Sequence, residues 1–295
     1  MKEGKFLSQI SKSKSQSGNL KLKIVICAII LIILGGATWL IWGVGGKEIS
    51  ASTANITPTP AVTETPAEEI KWPAGQTVTA SILMYHHIGP LPADADETRH
   101  GLTTSEDSFA LQLKYLKEND YQVMTLAKMY ELVALKKLPE KTVVLTFDDG
   151  YDDNYKYALP LLKKHNFHGT FNILTGSIGK PEYMTKDQLK ELAAAGNELG
   201  GHSISHPDLS KLAAAKLKKE VSESKKTLER ISNQPVISFC YPAGKFSEEV
   251  VEIIKSTGYK LAVTTNPSGQ FSTDKPFELP RYRTGPDTDI KKYLP

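Results

Sequence analysis

From Val78 to the C-terminus, short apolar runs rich in β-branched residues alternate with stretches whose apolar positions recur every three or four residues. The runs are VTASILMYH (78–86), VVLTF (143–147), GTFNIL (169–174), NELGGH (197–202), VISFCYP (236–242), LAVTT (261–265) and FELPRYR (277–283). Such runs suit buried strands, and the stretches between them, FALQLKYLKEN or EEVVEIIKSTG for example, suit amphipathic helices. Gly196 and Gly258 end two of these stretches where a C-terminal glycine belongs. Alternation of this kind predicts parallel βα units in an α/β fold. With about seven strands and no glycine-rich dinucleotide signature, a distorted (β/α) barrel is the expected form. No internal repeat is visible.

The pattern changes upstream. Residues 45–77 are rich in Thr, Pro, Ala and Glu with few large apolar side chains, the composition of an extended spacer that cannot bury a core. Before it, IVICAIILIILGGATWLIW lies in an uncharged segment, residues 24–44, of a length that suits one membrane-spanning helix. Residues 1–23 carry six lysines and one glutamate, which places the N-terminus in the cytoplasm and everything after the helix outside the cell. A cleaved signal peptide is the alternative, but no clear small-x-small site follows. The formal charge of +3 therefore misleads: the tail holds +5, leaving −2 for the rest. The body, residues 78–295, has no electrostatic footprint for nucleic acid. Cys27 falls in the membrane segment and Cys240 in a strand, so no disulfide is expected.

In a barrel of parallel strands, chemistry sits where strands end and loops begin. The first run ends in Tyr85-His86-His87, the second in Asp148-Asp149-Gly150, the fourth in His202-Ser203-Ile204-Ser205-His206, and the fifth in Tyr241-Pro242-Ala243-Gly244. Four of the seven histidines thus share one rim with an acidic pair. Two histidines and a carboxylate suit a borderline divalent cation such as zinc. Pro207 disfavours helical geometry at His206, which puts the histidine pair on a loop. A cation also rationalises adjacent aspartates at the end of a buried strand: one ligates, while the other stays ionised and free to take a proton from water. Both reach one site only where the chain leaves the strand, and Gly150 provides that freedom. Asp152 and Asp153 read as the first acids of the next helix.

The motifs FDDG and HSISHP, each at the end of a strand, resemble the two metal motifs of the polysaccharide deacetylases, the carbohydrate esterases of family 4 with a NodB homology domain. The resemblance covers roughly residues 80–284. It implies a NodB-type barrel that hydrolyses acetamido groups on a sugar polymer with a divalent metal, zinc or alternatively cobalt or nickel. Carried over residue by residue, Asp148 is the general base and Asp149, His202 and His206 the metal ligands. LMYHH resembles the first strand of extracellular poly-N-acetylglucosamine deacetylases with a permuted motif order, which would make His86 the general acid; His87 is off the matching position. The third motif departs: Cys240-Tyr241-Pro242-Ala243-Gly244 stands where the family has Arg-Pro-Pro-Tyr-Gly. The arginine that orients the base is missing there, and Arg281 or Arg283 is the candidate to replace it. Tyr241, Pro242, Ala243, Gly244 and Arg281 are the expected substrate-contacting set.

The reading is a membrane-anchored enzyme acting on peptidoglycan or a secreted N-acetylglucosamine polymer. An O-acetyl esterase on another glycan fits the same machinery. A glycan-binding domain that has lost turnover is a third reading, prompted by the altered motif. A metalloprotease would need a helix-borne glutamate that is absent.

Overall fold

The computed structural model of this protein describes residues 71–295. The basic tail, the apolar segment 24–44 and most of the 45–77 segment lie outside the described residues. Among the described residues, no helix is long and apolar enough to cross a membrane.

In chain order the strands are β1 (Thr77–Thr79), β2 (Ser81–Tyr85), β3 (His87–Ile88), β4 (Thr103–Thr104), β5 (Gln122–Met124), β6 (Thr142–Phe147), β7 (Thr170–Ile173), β8 (Glu198–Gly201), β9 (Ser238–Cys240), β10 (Leu261–Val263), β11 (Gln270–Ser272) and β12 (Tyr282–Arg283). The helices are α1 (Glu97–Leu102), α2 (Glu106–Glu118), α3 (Leu126–Ala134), α4 (Leu159–His165), α5 (Lys186–Ala194), α6 (Ala214–Ser232) and α7 (Glu248–Ser256). The glycines after α5 and α7 take the left-handed conformation their position demands, φ +86° at Gly196 and +89° at Gly258.

A curled parallel sheet runs β10-β9-β8-β7-β6-β2-β12, in keeping with a (β/α) barrel. β6 lies near its middle and is buried at every position. β2 covers one edge of it; β5 pairs with its first half and β7 with its last two residues on the other edge. The final apolar run joins the two margins of the sheet. Leu279 bridges to Val263 of β10, and three residues later Tyr282 and Arg283 pair with Leu83 and Met84 of β2. Pro280, with no N–H to donate, sits at the change of partner.

Alternation along the strands separates two cores. Val143, Leu145 and Phe147 point toward the helices, where Phe147 stacks on Phe171 at 4.5 Å and Tyr85 at 5.4 Å. Val144 points the other way, with Ile82, Cys240, Val263 and Leu279. The same period of two puts Thr146 and then Asp148 on this second face, inside the barrel.

The run 78–86 is not one strand. Ala80 donates to the Gly269 carbonyl, β2 continues into the sheet, and β1 pairs antiparallel with β11. Ordered packing also begins earlier than Val78. Trp72, inside the segment read as spacer, stacks between Tyr130 and Phe271 and donates its indole N–H to the Tyr130 carbonyl at 2.9 Å. A chain starting at residue 70 is therefore expected to be more stable than one starting at 78, by on the order of 2 kcal/mol. Equal urea midpoints for the two would show that Trp72 contributes nothing.

Candidate active site

The strand ends converge on Asp148, only 3 % exposed. A lone carboxylate there would be strongly destabilising. It is instead held by Arg281, itself 1 % exposed, in a two-point pair: Nη1 donates to Oδ1 and Nη2 to Oδ2, both at 2.8 Å. The guanidinium also donates through Nε to the Thr264 carbonyl and through Nη1 to Thr146 Oγ1, so its fork is fixed. Asn172 of β7 donates a third bond to Asp148 Oδ1 at 2.7 Å. Burial pushes the Asp148 carboxyl upward, but the Arg281 charge and hydrogen bonds outweigh it and hold the group well below the carboxylate range.

Asp149 leaves the strand. Its φ of +74° is left-handed, as is that of Gly150 at +83°, so the aspartate itself shares the turn expected of the glycine alone. Its Oδ1 lies 3.3 Å from His202 Nε2 and 3.7 Å from His206 Nε2, and the two rings meet edge to face at 4.9 Å. His202 is buried, and its Nδ1 stands 2.8 Å from the Cys240 carbonyl, which can only accept; Nδ1 carries the proton and Nε2 faces Asp149. His206 is on a loop, as Pro207 implied, in a left-handed conformation with φ +57°.

These donors suit a divalent cation. In a tetrahedral zinc site with bonds of 2.0–2.1 Å, neighbouring donor atoms stand about 3.3–3.4 Å apart. That is close to the spacing here, and the histidine tautomer is fixed by an outer partner as such sites require. Burial alone would lower the His202 pKa, but Cys240 and Asp149 beside it lift it well above the imidazole range. A second donor group, Asp148 with His202 and Cys240, does not fit a metal, because Arg281 Nη2 already lies 3.2 Å from Cys240 Sγ and 2.8 Å from Asp148 Oδ2.

The remaining expected residues divide. His86 follows β2 directly and is electrostatically coupled to both aspartates; burial first, then Arg281 and Arg283, lower its pKa to about 4 against their pull. Its buried Nδ1 has no hydrogen-bond partner. His87 is structural: it is buried against Tyr151, with Nδ1 2.7 Å from Asp153, which also receives Arg99. Asp153 stands at the start of the helical turns that lead into α4, as expected of a first acid, but gains this second task.

Tyr241 is a correction. Its ring is buried against Phe239 and Phe246, and its hydroxyl donates to the Phe277 carbonyl at 2.9 Å, which leaves the side chain no surface for a substrate. Arg281 is another: it is fully occupied in orienting Asp148, and a buried guanidinium with four protein partners cannot also hold a sugar. Pro242 is buried, whereas Ala243 is exposed and, with Gly244, forms a left-handed turn at φ +52° and +70°. The Gly244 and Lys245 amides bond back to Tyr241 and Pro242, and the Ala243 amide takes no part in those bonds. Arg283 is exposed. Asn172 was missed, although an asparagine inside the apolar run GTFNIL was the signal for it.

Fold and site together define a hydrolase-type centre at the mouth of a parallel βα barrel: a buried, ionised carboxylate beside a donor set for a divalent ion. Comparison with known proteins names the family. Residues 135–262 match the family model described as polysaccharide deacetylase. YxkH of Bacillus subtilis (strain 168), which bears a polysaccharide deacetylase name, is 34% identical over 206 residues, 70% of this chain and 71% of that one. The poly-beta-1,6-N-acetyl-D-glucosamine N-deacetylase of Staphylococcus aureus (strain MRSA252) is 26% identical, covering 61% of this chain and 67% of its own. The structure of the Streptococcus pyogenes deacetylase PplD in complex with acetate superposes with a TM-score of 0.69 at 31% identity, covering 75% of this chain and all of that one. The chain belongs to the polysaccharide deacetylase family of hydrolases.

Replacing Arg281 by Met should strand the Asp148 carboxylate and destabilise the fold at pH 7 by roughly 3–5 kcal/mol. The sign with pH follows from the depressed native pKa. The pair's contribution is fully present above the unfolded aspartate value of about 4 and declines as pH falls through it. In Arg281→Met, burial without the cation raises the Asp148 pKa, so the variant takes up a proton as pH falls from 7 to 4 and its gap to the original chain should narrow over that range in denaturant titrations. A gap that stayed constant would mean that the pair does not govern Asp148.

Proposed function

We propose that this hydrolase removes N-acetyl groups from an N-acetylglucosamine polymer outside the cell, with a divalent cation, zinc or in its place cobalt or nickel, held by Asp149, His202 and His206. The observation that carries the reading is the ionised Asp148 fixed by Arg281 beside that donor set. The name of the S. aureus relative supports the amide substrate. The uncharged segment 24–44 and the lysines before it support a membrane anchor with the catalytic domain beyond it.

A bound ion would supply a Lewis acid for the acetyl oxygen and make nearby water more acidic. The rest falls to this chain. Asp148 keeps its charge throughout the neutral range and accepts a proton from the attacking water; Arg281 and Asn172 hold both of its oxygens in place as it does so. The Ala243 amide is the donor in the 241–245 turn left over for developing negative charge. His86 passes a proton to the departing amine. With a pKa near 4 it rests neutral, so the proton it hands on, the water proton that Asp148 accepted, must first reach it within the turnover.

That neutral His86 favours one second reading, an O-acetyl esterase, because an alkoxide departs with less help than an amine. The two are separable. Asp148→Asn should retain zinc yet lose turnover by about 10²–10⁴-fold. His86→Ala should slow release of acetate from an N-acetylglucosamine oligomer by a similar factor and an activated aryl acetate far less, since a phenolate leaves without a proton. Equal losses on both substrates would remove His86 as the acid.

Metal dependence has its own readout. His202→Ala is expected to lower zinc affinity by more than about a hundredfold, beyond the loss typical of outer-shell changes, in competition with a chromophoric chelator. Undiminished zinc binding in that variant would sink the ligand assignment.

A further inference from the structure

Helix α6 packs one face into the core through Leu217, Val221, Leu228 and Ile231, and on that face stands Glu220, only 7 % exposed. A carboxylate at a core position needs a reason. Its two oxygens take three hydrogen bonds, all from one turn: the Ile204 amide at 2.8 Å and the Ser205 amide at 3.0 Å on Oε2, and the Ser205 hydroxyl at 2.8 Å on Oε1. That turn carries His206.

We infer that Glu220 is the positioning residue for His206, and that the cation site is complete only while Glu220 clamps the turn; the inference rests on the metal reading above. The two histidines are held by different means. His202 is buried and its ring is fixed by the Cys240 carbonyl. The His206 side chain is 37 % exposed and meets only Asp149 and the edge of His202, so its place depends on where its backbone is held. That backbone is strained: Ser203 and His206 both sit at left-handed φ, +64° and +57°, where a side chain costs about 1–2 kcal/mol each. Such a turn persists only when its polar groups are tied from outside. The carbonyls of Ser203 and Ile204 accept from the amides of Thr175 and Gly176 at 3.2 and 2.8 Å, while Glu220 takes the turn's amides. Without Glu220, two donors lose their acceptor, and the turn relaxes to allowed angles that carry His206 away from Asp149.

The chemistry separates two variants. Gln keeps one oxygen for both amides and can donate its NH₂ to the Ser205 hydroxyl, so Glu220→Gln should preserve the clamp. Glu220→Leu fills the same space on an apolar helix face but has no acceptor. On the full chain, stripped with chelator and titrated with zinc alone against a chromophoric competitor, Glu220→Leu should weaken zinc by roughly 10–100-fold, and Glu220→Gln by less than about threefold. His206→Ala should show a similar loss, and the double variant Glu220→Leu, His206→Ala no further loss, because one residue acts through the other. Hydrogen exchange at the Ile204 and Ser205 amides of the zinc-free protein should accelerate in Glu220→Leu while the rest of α6 stays protected. Unchanged zinc affinity in Glu220→Leu, with His206→Ala impaired, overturns the positioning role and leaves the metal reading standing. Additive losses, or deprotection of α6 as a whole, overturn it as well by making Glu220 a general packing residue. If His206→Ala itself binds zinc normally, the ligand assignment fails and this inference falls with it.

Discussion

A carboxylate inside a barrel of parallel strands can remain ionised only if a cation is fixed against it, and the Arg281–Asp148 pair is that constraint. The guanidinium is buried, so removing either partner leaves a charge with no solvent to reach. Its position is possible only because the chain returns: after Leu279 joins β10, Arg281 projects to Thr264 and Cys240 at the neighbouring ends of β10 and β9 and, across the barrel interior, to Thr146 and Asp148 at the end of β6. Closing the sheet and assembling the base are therefore one event. A protein whose last segment had not docked would hold neither its two sheet margins together nor an ionised Asp148.

The same constraint accounts for the altered strand end at β9. The resemblance places an arginine where Cys240 stands, and its loss looked like a loss of function. Cys240 Sγ lies 3.2 Å from Arg281 Nη2 and 3.5 Å from Asp148 Oδ2, so the small thiol leaves the volume that a guanidinium arriving from another strand fills. The charge has been kept and its origin moved. The Cys240 backbone is used independently, its carbonyl fixing the ring of His202. One residue thus supports the base through the smallness of its side chain and the donor set through its main chain.

Much of this could be read from local sequence. The apolar runs marked the strands because burial on both sides leaves no polar alternation, and residues at their ends fell on one rim because parallel strands all end on the same side. Asp148, Asp149, His202 and His206 were legible since each pair lies within one short loop. What escaped depends on contacts between distant residues. Asn172 reaches Asp148 across 24 residues and Glu220 reaches the His206 turn across 15 or 16. In sequence Asn172 is one polar residue in an apolar run, and Glu220 is one charge among many in a polar helix. Tyr241 was assigned to the substrate because its neighbours line the rim, whereas its hydroxyl is taken by Phe277, a residue 36 positions away. The split of 78–86 at Ala80 arose from a bond to Gly269 that no local propensity encodes.

The guanidinium also acts on the second titratable group. Its charge lowers the His86 pKa, together with burial, while it holds Asp148 ionised. The cation lowers both: it holds the carboxylate charged and adds to the burial that keeps the imidazole neutral. In the proposed roles this fixes the order of proton movement. Asp148 can only accept at the outset, and His86 can donate only after it has been given a proton. Neutralising Asp148 exposes His86 to less negative charge, so the two proton sites remain coupled through the turnover. A resting imidazolium at His86 would lose hydration on burial and meet the positive charge of Arg281 and Arg283. The resting state is therefore set before any substrate arrives, by burial at His86 and by the barrel-closing arginine at Asp148.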